Sequence, residues 1–106
     1  MANVTASLNA QNTFTDWLIP SKQLSYGVNH PGFLDLVISG TWAGTVTIQK
    51  RHFHGNAPTY TDEFDVDTFT ANTVNVIEDH SSTVQYRVGF KTDEYISGTA
   101  NVRLEQ

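Results

Sequence analysis

The chain of 106 residues contains no cysteine, which excludes a disulfide framework and any thiolate metal site and leaves stability to packing and strand pairing. Positive charge is scarce. Six Lys and Arg face eleven Asp and Glu, for a net charge of -5 and a pI near 5.1, the wrong sign for a footprint on nucleic acid or an anionic membrane. No nucleic-acid or membrane partner is therefore expected. Long apolar runs are missing too: no window approaches 18 apolar residues, and Met1 to Ser7 has no cationic stretch leading into one. Neither a membrane helix nor a secretion signal is predicted, and the chain reads as made in the cytoplasm. Helical periodicity is absent over any ten-residue stretch, and charged residues are only 16% of the chain, so a helical bundle is disfavoured. The length allows one compact core and no two-lobed catalytic architecture.

What is present favours strands. Fourteen Thr, eight Asn and 11% aromatic residues suit extended, half-buried segments and the turns between them. Val84, Tyr86, Val88 and Phe90 alternate with Gln85, Arg87, Gly89 and Lys91, and Ala100, Val102 and Leu104 alternate with Thr99, Asn101 and Arg103. These two segments are expected to pair as a C-terminal hairpin across Thr92-Asp93-Glu94. Leu34, Leu36 and Ile38 form an inward row ending at Ser39-Gly40. Thr45 to Gln49 alternates again, with its mate beyond Gly55-Asn56-Ala57-Pro58. Shorter strands are predicted around Phe14 to Ile19, Leu24 to Val28, Phe64-Val66 and Val74-Val76. Val4, Ala6 and Leu8 mark an edge strand or N-terminal arm within residues 1–12. Eight or nine short strands in one domain over 1–106 predict an all-β antiparallel sandwich of jelly-roll or immunoglobulin-like type.

No constellation declares a reaction. His52 and His54 share a strand face at the spacing of strand-borne metal pairs, but the sequence fixes no third ligand among His30, His80 and Asp79. Asp79-His80-Ser81-Ser82 is a polar turn, since a catalytic triad is a geometry across a fold and not a local run. Asp62 to Asp67 lacks the glycine and the converging oxygens of a calcium loop and reads as a strand exposing Asp65 and Asp67. No catalytic residue, cofactor site or metal site is assigned. Aromatic side chains offer two other routes. Trp17, Trp42, Tyr26, Tyr60 and Tyr95 are candidates to stack on sugars, although Trp and Tyr more often fill cores and interfaces. Trp42, between Gly40 and Gly44, is read as core or inter-subunit packing rather than as a platform.

Two segments carry a resemblance. Ser39-Gly40-Thr41-Trp42-Ala43-Gly44-Thr45-Val46-Thr47-Ile48-Gln49-Lys50-Arg51 resembles an "SGTxxGTVTxQR" pattern. Tyr86-Arg87-Val88-Gly89-Phe90-Lys91, continued by Tyr95-Ile96-Ser97-Gly98-Thr99 and Val102-Arg103-Leu104, resembles "YRxGxKTxxYxSGTxxVRL". Both are similar to small all-β virion proteins of tailed bacteriophages, including capsid decoration or cement proteins. The chain departs from them at Gly55-Asn56-Ala57-Pro58, where a Gly-rich turn is usual, and in the histidine pair before it. The resemblance covers about a third of the chain. It implies a non-enzymatic structural protein on the capsid exterior, made in the host cytoplasm, with the major capsid protein as partner and a dimer or trimer as its own assembly state. Partner contact is expected through Ala2, Asn3, Val4, Thr5, Ala6, Ser7, Leu8, Trp17, Trp42, Phe53 and Tyr60. The alternative is a tail or fibre module that binds a host surface glycan.

Overall fold

The computed structural model describes residues 3–18, 33–52, 64–78 and 84–105. Strands account for 85% of these residues and helix for none. Six strands form one antiparallel sheet: β1 (Asn3–Leu8), β2 (Thr13–Phe14), β3 (Phe33–His52), β4 (Phe64–Phe69), β5 (Thr73–Glu78) and β6 (Val84–Glu105). Two of them dominate. β3 and β6, 20 and 22 residues long, pair along their whole length, from Asp35↔Glu105 to His52↔Val84.

A straight strand of 22 residues would be about 70 Å long, whereas the molecule's longest dimension is 44 Å. The long ribbon is bent, and the bend lies where the register slips. Between Gly44↔Tyr95 and Val46↔Phe90, β6 advances five residues while β3 advances two. The surplus, around Asp93 with its left-handed φ of 69°, is accommodated as a large bulge. Gly98 sits opposite Trp42 on the same bend with φ +85°. A Cβ there would collide with the backbone of Thr41 and Trp42, so only glycine permits both the dihedral and the approach.

The outer strands follow the bent ribbon on each side. β1 pairs with residues 100–105 of β6 and β2 with Gly89 and Phe90, while β5 pairs with residues 33–38 of β3 and β4 with residues 46–50. Each flanking pair turns its own corner at the ribbon's bend. Gln11 brackets Tyr95, its Nε2 donating to the Tyr95 carbonyl and its Oε1 accepting from the Tyr95 N–H. Asn72 accepts from the Trp42 indole at 2.7 Å and donates to the Gly40 carbonyl at 2.9 Å.

One core collects the inward residues of both halves. Leu34, Leu36, Ile38, Ala100, Val102 and Leu104 come from one side of the bend, and Val46, Ile48, Tyr86, Val88 and Phe90 from the other. Leu8 and Leu18 complete it. Even-numbered residues face inward on both sides of the bulge, whereas within it the register shifts set odd-numbered Tyr95 against the core and leave Ile96 exposed. A net slip of one residue would turn an entire apolar row to solvent. Trp42 and Tyr95 pack edge-on against Phe90, with centroids 5.7 and 5.1 Å away. The bend is thereby roofed with aromatic rings.

The expected C-terminal hairpin is not formed. Thr92-Asp93-Glu94 lies within one strand, and both of its flanks pair with β3 instead of with each other. Ser39-Gly40 likewise does not end a strand, since β3 runs on to His52. The predicted strand from Phe14 to Ile19 contracts to Thr13–Phe14 plus a single bridge between Leu18 and Tyr86. In the two long strands a glycine or polar cluster bends the chain without breaking its ladder. β4 and β5 fall where Phe64-Val66 and Val74-Val76 place them. The strand expected at Leu24 to Val28 lies outside the described residues.

Candidate functional site

The outward face of the half containing β1 and β5 is built mostly from short side chains, with Arg103 the exception. Thr5 and Ser7 of β1, Asn101 and Arg103 of β6, and Val37 and Ser39 of β3 alternate with the buried row and face away from the core. On β5 the register turns Val74 and Val76 outward beside Val37 and Asp35. They are 79% and 56% exposed, in a position where a strand normally shows polar groups. Because Thr5, Ser7, Ser39 and Asn101 are short, an open groove of about 530 Å³ runs between them, Val37 and Arg103. Ser7 donates to Asn101 at 2.8 Å. Arg103 meets Glu105 at 3.7 Å, too loosely and in too much solvent to hold it firmly. The groove offers hydroxyl and amide groups, one guanidinium and a valine margin, a set that can make many modest contacts.

The outward face of the other half is closed over. Lys91 donates to Asp65 at 2.8 Å, Gln49 donates to the other oxygen of that carboxylate, and Arg87 donates through Nε to Gln49. Arg51 directs Nε and one terminal nitrogen at Gln85 Oε1. Residues 13–18 then cross this network. The Thr15 N–H donates to the Val88 carbonyl, and Leu18 and Tyr86 exchange backbone hydrogen bonds. That path lays Phe14 on Arg87 and Trp17 on Arg51 and Arg87, with guanidinium carbons 3.9, 4.0 and 4.6 Å from the ring centroids. These are cation–π distances. Gly89 makes the crossing possible, because a Cβ there would strike the Thr13 carbonyl and the Phe14 side chain. The hydrogen bond from Lys91, aided by Gln49, holds the Asp65 carboxyl below its ordinary range, and the same contact raises the Lys91 ammonium.

The expected contact residues therefore divide. Asn3, Thr5 and Ser7 face outward on β1, Val4 and Ala6 are half-buried, and Leu8 is a core residue. This corrects its place among the outward contacts. Trp42 is a post at the bend, tied to Asn72, in agreement with its reading as packing. Trp17 lies against two arginines. Ala2, Phe53 and Tyr60 lie outside the described residues, as do His30, His54, Asp79, His80, Ser81 and Ser82. His52 ends β3, with its side chain not described. Among the described residues, no three His, Asp or Glu side chains gather to hold a metal ion, and no helix is long and apolar enough to cross a membrane. Asn101, Arg103, Val37, Ser39, Val74 and Val76 were not expected. Alternation marked most of them as outward, but only the register sets them beside β1.

No protein family, characterised protein or solved structure matches the chain.

Proposed function

We propose that this chain is a non-enzymatic decoration protein of a tailed bacteriophage, attached as a homo-oligomer to the exterior of the capsid, with the major capsid protein as its partner. In this reading the two halves of the bent ribbon are the layers of a jelly-roll or immunoglobulin-like sandwich. The carrying observation is the open, hydroxyl- and amide-lined face at β1, bordered by exposed Val74 and Val76. Attachment to a preformed shell needs a broad surface of modest contacts, multiplied by symmetry, and this face supplies one. The pattern at Ser39 to Arg51 and at Tyr86 to Leu104 supports the same assignment.

The test is co-sedimentation with purified shells, followed by heating. Wild-type protein is expected to pellet with shells and raise their disruption temperature, and Arg103→Glu with Val74→Asp to lose both effects. Absence of co-sedimentation would sink the proposal.

Trp17 favours a second reading, a glycan-binding module of a tail or fibre, because Arg51 and Arg87 brace its half-buried ring like a platform. Trp42 no longer contributes to that reading, since Asn72 and Phe90 engage it. A glycan array separates the two: saccharide binding abolished by Trp17→Ala supports the module, and silence supports the decoration protein.

A further inference from the structure

The sheet has two kinds of margin. On the side of β4 and β5, Asp67 accepts from the N–H of Thr68 and Asn75 from the N–H of Val76, each at 2.8 Å. Each bond occupies a donor that an added strand would need. The same margin carries the exposed carboxylate of Asp67, so two copies meeting there would set like charges together. β1 is different. Its sequence, Asn-Val-Thr-Ala-Ser-Leu, has no charge and no proline, and among the described residues no side chain caps its backbone.

We infer that β1 is the site at which two copies of this chain join, pairing antiparallel across a two-fold axis so that their sheets become continuous. The occupant follows from charge. At a net charge of -5, copies repel at long range, and an uncharged strand is where two can approach without adding a like-charge contact. The pleat narrows the register. For outward faces to stay on one side, odd residues must oppose odd residues. Of the registers this allows, the one centred on Thr5 sets Thr5 against its own counterpart and Asn3 opposite Ser7 on both sides of the axis, all polar and hydrogen-bonding pairs. Val4 opposes Ala6 on the core side. The two grooves come to lie on one continuous face, doubling the surface described above. The inference rests on the homo-oligomer in the proposed function and does not depend on the shell.

Six residues per copy make a small interface, so dimerisation should be weak and concentration-dependent. Sedimentation of the wild-type chain alone is expected to show the mass doubling between about 5 and 200 µM, a range suited to an interface of this size. Thr5→Lys, which places two ammonium groups at the axis, should remain monomeric throughout with its melting temperature nearly unchanged. Because the chain has no cysteine, Thr5→Cys adds a single thiol. Its Cα would lie about 4.5–5.5 Å from its mate, within disulfide reach, and mild oxidation should link it into a covalent dimer. Thr68→Cys, on the opposite margin, should stay monomeric. A wild-type monomer over the whole range, a Thr5→Lys dimer, or equal cross-linking at the two cysteine positions would each overturn the inference. Loss of shell binding by a dimer that still forms would sink the proposed function alone.

Discussion

In the half of the ribbon that holds Leu36 and Leu104, the face away from the core is bare: Val74 and Val76 stand in solvent and a groove lies open beside Thr5. In the half that holds Ile48 and Val88, the corresponding positions carry Gln49, Arg51, Gln85 and Arg87, joined to one another and covered by Phe14 and Trp17. The inward rows are both apolar and sealed, so the core does not create the difference. Side-chain length does. Long polar chains reach their neighbours, satisfy one another and accept an aromatic cover, until Gln49 and Gln85 are themselves buried. Short ones leave space above the sheet. One face is consumed in holding the molecule together, and the other is left available.

The bend is the strongest place to break this contrast. Gly98→Val forces a branched side chain into a left-handed φ and into the backbone of Thr41 and Trp42. A loss of about 3–4 kcal/mol is expected in urea unfolding, a large share of the ~5–15 kcal/mol typical of a domain. Both halves should unfold in one transition, because each lacks the other's cover. Phe14→Ala tests the covered face. It uncovers Arg87 and removes a ring packed on Gly89, and should cost about 2 kcal/mol, whereas Val74→Thr on the bare face should stay within about 0.5 kcal/mol. Equal costs would erase the distinction. Asn72→Ala, which unties β4 and β5 from the bend, should cost about 1 kcal/mol for its two hydrogen bonds, seen as faster amide exchange around residues 69–73.

The smallest effect is electrostatic. Asp65 has its carboxyl pKa held below the ordinary 3.8, so its contribution is present above that value and fades as pH falls through the lowered one. Lys91 is raised, so its contribution is present at neutral pH and fades only above about 10.5, as pH rises through the raised pKa. The pair is 40% exposed on both sides and screened by salt. Asp65→Asn should flatten the acid limb of the stability profile slightly at low ionic strength and leave it unchanged in 1 M salt.

Much of this was legible in the chain. The alternation at Leu34 to Ile38, Tyr86 to Phe90 and Ala100 to Leu104 identified the buried row. Asp65 and Asp67 are both exposed, although a bulge between them sets Asp65 opposite Gln49 and Asp67 opposite Ile48 rather than on one strand face. The architecture at Thr92 to Glu94 was not legible, because a polar cluster with a left-handed residue serves equally as a hairpin turn or as a bulge in a continuing strand. Which one forms depends on whether a second strand, β3, bends in step, a non-local condition. The face beside β1 was half visible: Thr5 and Ser7 followed from periodicity, but Arg103, Val37 and Ser39 join them only through pairings between residues far apart in sequence. The arginine–aromatic network had no signature at all, since Phe14 and Trp17 lie some 70 residues from Arg87 and looked like core or platform.

The register Asn3↔Glu105 places the first and last described residues on neighbouring strands, about 5 Å apart at the Cα atoms. A domain of that form is nearly a ring. It can be inserted into a loop of another protein, or opened elsewhere and rejoined with a short linker, without stretching its sheet. Anything fused at residue 3 or residue 105 leaves from one corner. Cargo displayed from either position would therefore emerge at the same end of the sheet, with one strand, β3, between Glu105 and β5.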